Sequence, residues 1–312
     1  MSPAQLSPVK IWIRALRVPY FTGAAMAVVC GAAAAYSDRG AVKLSFFLVA
    51  LIGAVAIHAA SNVINDYFDY MNGCDTHNQV RGALSGGSRV IVDGLLSAKA
   101  MRNGAAVAYG IGIACGLYLA LGLGRQGWVL LLFGLAGLAI SLGYTAPWPF
   151  LAGRGLGEIG LGLAIGVIPV MGTYFVLTKS ASWTAFVGGL PVSGLMAACL
   201  WINEFPDAES DLAMKKRNAV VRLGRRRARY VFYALLALIY LSPAVGVLAG
   251  VLSPWVLLSW IVLPFAVRAA LTLHRHYEEP AALLPAQIML VRLHFLTGSL
   301  MTAGLLLGRL LR

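Results

Sequence analysis

Two short acidic stretches stand at the ends of long apolar runs. The first reads Asn65-Asp66-Tyr67-Phe68-Asp69 and continues to Asp75; the second reads Asn203-Glu204-Phe205-Pro206-Asp207-Ala208-Glu209-Ser210-Asp211. Together they hold more than half of the 12 acidic residues in a chain of 312. A carboxylate beside a low-dielectric region is costly unless paired or bound to a cation, so this concentration points to chemistry. On a helix, Asn62, Asn65, Asp66 and Asp69 share one face at i, i+3, i+4 and i+7. Asn203, Asp207 and Asp211 share another at i, i+4 and i+8, with Pro206 predicting a kink between them. Such oxygen donors suit hard cations. Mg²⁺ usually takes one or two carboxylates and completes its octahedron with water and phosphate oxygens. Two facing sets could therefore hold two Mg²⁺ ions across one diphosphate.

A diphosphate also needs cationic donors, and they follow each stretch. Arg81 and Arg89 come after the first, the latter in Ser85-Gly86-Gly87-Ser88-Arg89; Lys215, Lys216, Arg217 and Arg222 come after the second. Arginine can bind phosphate oxygens through two parallel hydrogen bonds, and lysine acts as a point charge. Lys216 and Arg222, shortly downstream of Asp211, read as functional. Arg225, Arg226, Arg227 and Arg229 read as topology signals.

The elements that must position these groups are membrane helices. At 59% hydrophobic residues the chain is too apolar for an ordinary soluble globule. About 20 helical residues cross a hydrocarbon core of roughly 30 Å. Spans are expected near 20–37, 44–64, 104–123, 127–146, 156–178, 183–205, 230–250, 253–273 and 287–308. The fold expected is an all-α polytopic membrane protein of about nine helices around a central cavity, forming a single domain over 1–312. The motifs occupy 62–75 and 203–211 and end spans two and six, so two pseudo-repeated four-helix halves would each give one motif to the cavity. With a cytoplasmic N-terminus, most of the 25 lysines and arginines fall on inside segments, together with both acidic stretches.

The expectation is a multi-pass protein of a bacterial-type inner or plasma membrane, N-terminus and active site cytoplasmic. The net charge of +13 fits contact with the lipid bilayer and with anionic substrates. Basic residues confined to short loops argue against nucleic acid, and no obligate protein partner is evident. No cleavable signal peptide is expected; the arm 8–17 reads as an interfacial helix anchored by Trp12, or as a plain positive flank. Cys30, Cys74, Cys115 and Cys199 show no ligand or disulfide spacing.

Taken together these residues resemble the UbiA superfamily of intramembrane aromatic prenyltransferases, and most of all its 1,4-dihydroxy-2-naphthoate branch in menaquinone synthesis. Asn65-Asp66-x-x-Asp69, with a further acid at Asp75, is similar to the first Asp-rich motif. Asn203-x-x-x-Asp207-x-x-x-Asp211, followed by Lys216 and Val221-Arg222-Leu223-Gly224, is similar to the second. Tyr144-Thr145-Ala146-Pro147, Arg154-Gly155-Leu156-Gly157-Glu158 and Gly172-Thr173-Tyr174 also resemble this branch. The family's Tyr-x-x-x-Lys element is broken, because Trp148 stands at the lysine position, and Arg154 is a candidate substitute cation.

The resemblance implies an isoprenyl diphosphate donor, an aromatic acceptor and Mg²⁺. The metal ligands it implies are Asn65, Asp66, Asp69, Asp75, Asn203, Asp207 and Asp211. Lys216, Arg222, Arg89 and Arg81 would meet the diphosphate, with Asn62, Tyr144 and Arg154 beside the substrates. Tyr67, Phe68, Tyr144, Trp148 or Tyr174 could face an allylic cation. Other readings remain: a 4-hydroxybenzoate or quinolone acceptor, a terpene cyclase of the same superfamily, or a cation-coupled transporter. Tyr144, Trp148 and Trp201 fit an interfacial belt as well as a cavity, and His58 fits a packed position as well as a cavity wall. Glu158 fits a helix start as well as a ligand-orienting role. Glu204 and Glu209 fall off the metal face, and His274 and His276 read as loop residues.

Overall fold

A backbone immersed in hydrocarbon has no hydrogen-bond partner but itself, so each long apolar run closes as a helix. The computed structural model describes residues 6–77, 87–147 and 149–311. Among them there is no strand. A short amphipathic α1 (Pro8–Leu16) leads into α2 (Thr22–Arg39) and α3 (Leu44–Met71), followed by a single turn, α4 (Cys74–His77). α5 (Ala98–Leu123) and α6 (Gly127–Gly143) are joined by the 3₁₀ turn Gly124–Gln126. α7 (Gly157–Gly162) and α8 (Ile168–Thr178) make one leg, spliced by the π-helical turn Leu163–Val167. Then come α9 (Trp183–Ala213), the short α10 (Ala219–Leu223), α11 (Arg225–Leu248), α12 (Leu263–His276) and α13 (Leu284–Leu310).

Eight helical segments are long and apolar enough to cross a membrane, and one of them, Ala98–Gly143, has 46 residues. At 1.5 Å per residue that is about 69 Å, more than twice the hydrocarbon thickness. The 3₁₀ turn divides it into α5 and α6, which pack on each other. The described residues thus supply the nine legs the sequence predicts, and the chain is an integral multi-pass membrane protein. His274 and His276, expected in a loop, sit in the last turn of α12.

α2 lies at the centre, against α3, α8, α9 and α13. Small residues allow this: Ala27, Ala33, Ala34 and Ala35 are buried, and a Cβ on Gly31 would lie 2.4 Å from the Val170 carbonyl oxygen of α8. The two halves repeat one packing choice. The motif-bearing second helix lies against the helix that follows it, α3 on α5 and α9 on α11. Both motif helices run about two turns past their expected ends, to Met71 and Ala213. The acidic residues are therefore on the helices themselves and inherit their rigidity. α9 continues through both Pro191 and Pro206.

At the same end, α1 is held by protein contact as well as by its amphipathic face. Trp12 packs where α5 has Gly104; a Cβ there would meet the indole at 2.6 Å.

Gly31→Leu should destabilise the folded protein by about 1–3 kcal/mol or prevent its assembly. Gly110→Leu, where a Cβ meets nothing within 4 Å, should leave stability within about 0.5 kcal/mol. Thermal unfolding in detergent, followed by fluorescence, separates the two; equal losses would contradict this packing.

Candidate active site

The last turns of α3 and α9 face each other across a cavity of about 200 Å³. Asn62, Asn65 and Asp69 line it from α3, with Asp75 from α4 beside them. Asn203, Asp207 and Asp211 line it from α9, and Lys216 from the turn beyond. Arg17, Tyr20, His58 and Tyr144 complete much of the wall. The helical register explains the grouping: residues four apart stack on one face, and α3 and α9 turn those faces inward.

Asn65, Asp69, Asn203 and Asp211 are held in place by neighbours. Asn65 donates from Nδ2 to Asp69 Oδ2 at 3.1 Å, while Asn65 Oδ1 and Asp69 Oδ1 are buried with no hydrogen-bond partner. Asn203 Oδ1 accepts from Gln287 Nε2 of α13 at 3.0 Å. Asp211 Oδ2 accepts from Asn218 Nδ2 at 2.8 Å, and its Oδ1 lies 3.7 Å from Lys216 Nζ. Asn218 also caps α10, accepting from Val221 N at 2.8 Å, so the Asp211 partner is set by a helix start. Asp66 is 2% exposed and lies behind the wall, where it pairs with Arg17 and accepts from Ser88 N at 3.1 Å. Gly87 lies against this cluster at φ +74°; a Cβ there would stand 3.2 Å from Asp66 Oδ1 and 3.3 Å from Asp75 Oδ1.

The electrostatics show a site short of positive charge. Burial, and then the Asp69 and Asp66 carboxylates, push the Asp75 carboxyl up to about 8 against the pull of Arg17 and Lys216. Burial works against the Lys216 ammonium, but Asp69 and Asp211 outweigh it and raise its pKa well above the usual value. Burial raises the Tyr144 hydroxyl, with Lys216 opposing, so Tyr144 is a neutral hydrogen-bonding group. Among the described residues no three His, Cys, Asp or Glu side chains could by themselves hold a metal ion. The donor set nevertheless fits Mg²⁺, which needs only one or two carboxylates and takes phosphate oxygens for the rest. The unpartnered Asn65 and Asp69 oxygens and the resistance of Asp75 to ionising both call for a cation there.

Other candidates lie elsewhere. Arg81 and Trp148 fall outside the described residues. Arg89 donates to the Asp75 carbonyl oxygen at 3.2 Å and ties its own segment to α4. Arg222 is exposed: its Nε donates to Arg217 O at 2.7 Å and its Nη2 to Gly153 O at 3.5 Å, outside the cavity. Arg154 is exposed in the same neighbourhood and does not line the cavity. Tyr67 and Phe68 pack in the core between α3 and α5. Tyr174 donates to Asp38 at 2.8 Å, at the opposite end of α2 from the cavity. Glu158 begins α7, and its Oε1 accepts from Ala219 N at 2.9 Å, tying α7 to α10. Glu209 faces out and pairs with Arg225 at 2.9 Å. Trp201 is buried and donates to Ala228 O at 3.1 Å, so it is a core residue and not a belt residue. Sequence reasoning overlooked Arg17, Gln287 and Asn218; Arg17 carried a signal, being a basic residue directly before the first span.

Behind the polar cavity opens an apolar one of about 460 Å³, sharing His58, Ser61, Ser141, Ala164 and Ile165 with it. Ala164 and Ile165 belong to the π-helical turn, a feature frequent at functional sites. At the neck Ser141 hydrogen-bonds Ser61 and, at 2.5 Å, the Tyr109 hydroxyl. The cavity runs between α3, α5 and α6 to Leu117, Leu131 and Leu135, which are exposed on the outer surface.

Residues 24–296 match the model of the UbiA prenyltransferase family. The 2-carboxy-1,4-naphthoquinone phytyltransferase of Synechocystis sp. is 31% identical over 95% of this chain and 92% of its own length. The 1,4-dihydroxy-2-naphthoate octaprenyltransferase of Bacillus subtilis is 28% identical over 86% of this chain and 83% of its own. A UbiA homologue from Archaeoglobus fulgidus, solved with DMAPP and Mg²⁺, has the same fold, with a TM-score of 0.65 at 16% identity over 94% of this chain and 99% of that one. By the family match and these similarities, the chain belongs to the UbiA prenyltransferase family.

Proposed function

We propose that this enzyme transfers an isoprenyl chain from its diphosphate to 1,4-dihydroxy-2-naphthoate, forming a prenylated quinone precursor. The observation that carries the reading is the pair of acidic faces across one polar cavity, continued by an apolar cavity that reaches the lipid-facing surface. The naphthoate enzymes among its relatives support the acceptor.

The residues divide the work. Asn65, Asp69 and Asp75 on one side and Asn203, Asp207 and Asp211 on the other would hold divalent cations, Mg²⁺ by the donor chemistry and two by the symmetry of the motifs. When bound, the cations supply positive charge to the diphosphate as its C1–O bond breaks. Lys216, kept charged by Asp69 and Asp211, places an ammonium at the same spot. Tyr144 offers a neutral hydroxyl and a ring face to the allylic carbon. The apolar walls exclude water from that carbon while the tail lies past Ser61 and Ser141. The ring carbon bearing the carboxylate then bonds to C1, diphosphate leaves with the C–O electron pair, and loss of CO₂ restores the ring. Arg89 acts by holding Asp75 through its carbonyl oxygen, and Asn62 by donating to Leu16 O at 3.2 Å. Arg222 and Arg154 lie outside the cavity, so they make no direct contact with a ligand placed there. The concentration of basic residues after α9 supports a cytoplasmic site and N-terminus.

In membranes supplied with Mg²⁺ and a labelled isoprenyl diphosphate, prenylated product should form with 1,4-dihydroxy-2-naphthoate, not with 4-hydroxybenzoate, and should vanish with EDTA. Product from the benzoate alone would overturn the acceptor. Asp69→Ala and Asp207→Ala should each lower kcat/KM by about 10³-fold or more, whereas exposed Arg226→Ala should stay within about twofold; near-normal turnover in either aspartate variant contradicts the metal scheme. Gly134 lines the apolar cavity, and a Cβ there meets nothing within 4 Å. Gly134→Trp should cut kcat/KM for long-chain donors about tenfold or more relative to geranyl diphosphate. A parallel loss for both donors would move the tail elsewhere.

A further inference from the structure

Asp66 differs from its neighbours in having both oxygens engaged. Oδ1 carries the Arg17 guanidinium in an ion pair, and Oδ2 accepts the Ser88 N–H. Asp69, about one helical turn on, and Asn65, the residue just before, each keep a buried oxygen without a hydrogen-bond partner. Arg17 is held by more than this one contact. It ends α1 in the left-handed region at φ 53°. Trp12 seats that helix on α5. One turn before, Arg14 donates from Nε to Ser88 O at 2.8 Å and pairs with Asp93 at 2.5 Å. α1 and the loop at Ser88 therefore clamp the Arg17–Asp66 pair from two sides. Yet the Arg17 side chain is 25% exposed and lines the polar cavity, where an incoming phosphate can reach it.

We propose that Arg17 is a resident counter-cation that holds Asp66 until an isoprenyl diphosphate arrives, then turns to the phosphate oxygens and yields Asp66 to a divalent cation. This rests on the function proposed above. The guanidinium fork fits phosphate as well as carboxylate, so the exchange replaces one anionic partner by another and leaves no buried charge bare. A divalent cation arriving alone has to displace a guanidinium whose other anionic neighbours, Asp75 and Asp69, are the carboxylates that the cation itself would take. Metal and diphosphate binding are coupled by this exchange, and the coupling is reciprocal. The clamp keeps the arginine within reach of both partners, so α1 works as part of the site.

The test is Mn²⁺ binding by electron paramagnetic resonance on the purified protein in nanodiscs, with and without geranyl thiolodiphosphate as an unreactive donor. Wild type should bind Mn²⁺ at least about tenfold more tightly with the analogue than without. Arg17→Ala should bind Mn²⁺ alone at least about tenfold more tightly than wild type and lose most of that coupling. Arg17→Lys, which keeps the charge without the fork, should hold Mn²⁺ alone near the wild-type level and show reduced coupling. Unchanged or weaker binding of Mn²⁺ alone by Arg17→Ala with a wild-type melting temperature, or full coupling in Arg17→Lys, overturns the inference. Tight binding of Mn²⁺ alone by wild type overturns it as well. If wild type binds no Mn²⁺ even with the analogue, the proposed function falls with it; binding by wild type with an indifferent Arg17→Ala removes this inference alone.

Discussion

A carboxylate can sit at the rim of a hydrocarbon layer only if something positive meets it, and that constraint organises the structure at one end of the bundle. The acids of α3 and α9 lie in helix, mostly buried, and three of them are met by named neighbours. Arg17 meets Asp66, Asn65 meets Asp69, and Lys216 and Asn218 meet Asp211. What these neighbours leave unsatisfied, the Asn65 and Asp69 oxygens above all, faces a ligand that must bring its own cations. The positive charge already present, on Arg17 and Lys216, lines the same cavity, so anion and cation are invited together.

Holding two acidic faces opposite each other demands rigidity in the helices that bear them. Each motif helix is buttressed by its successor, and α2 wedges between the halves because alanines and Gly31 let it approach α8 closely. The site's other wall comes from the π-helical turn between α7 and α8, which turns Ala164 and Ile165 toward both cavities. Polar and apolar cavities meet at Ser61, Ser141 and Ala164, with His58 and Ile165 beside them. A substrate with a charged head and a long apolar tail matches that division in both chemistry and direction.

Much of this was legible in the chain itself. Spacing of four placed Asn203, Asp207 and Asp211 on one face, and the apolar runs gave the helices, because both signals are local. Where the sequence misled, tertiary contact decided. Arg222 and Arg154 follow the motifs closely, yet the carbonyls of Arg217 and Gly153 hold the Arg222 guanidinium outside the cavity. Tyr174 has an aromatic face but finds Asp38 at the far end. Arg17 looked like part of a basic flank, and the packing of Trp12 against Gly104, with the Arg14 contacts to Ser88 and Asp93, brings it to Asp66. Gln287 could not be read at all, since its link to Asn203 crosses from α13 to α9.

The claim on which the rest depends is that the two acidic faces act on one diphosphate. Anomalous scattering from Mn²⁺ in crystals grown with a geranyl thiolodiphosphate tests it most directly. The account predicts metal between the faces, one position beside Asn65 and Asp69 and one beside Asp207 and Asp211, with the diphosphate bridging them and the tail entering the neck at Ser61 and Ser141. Metal confined to one face, or a diphosphate bound outside this cavity, would contradict it.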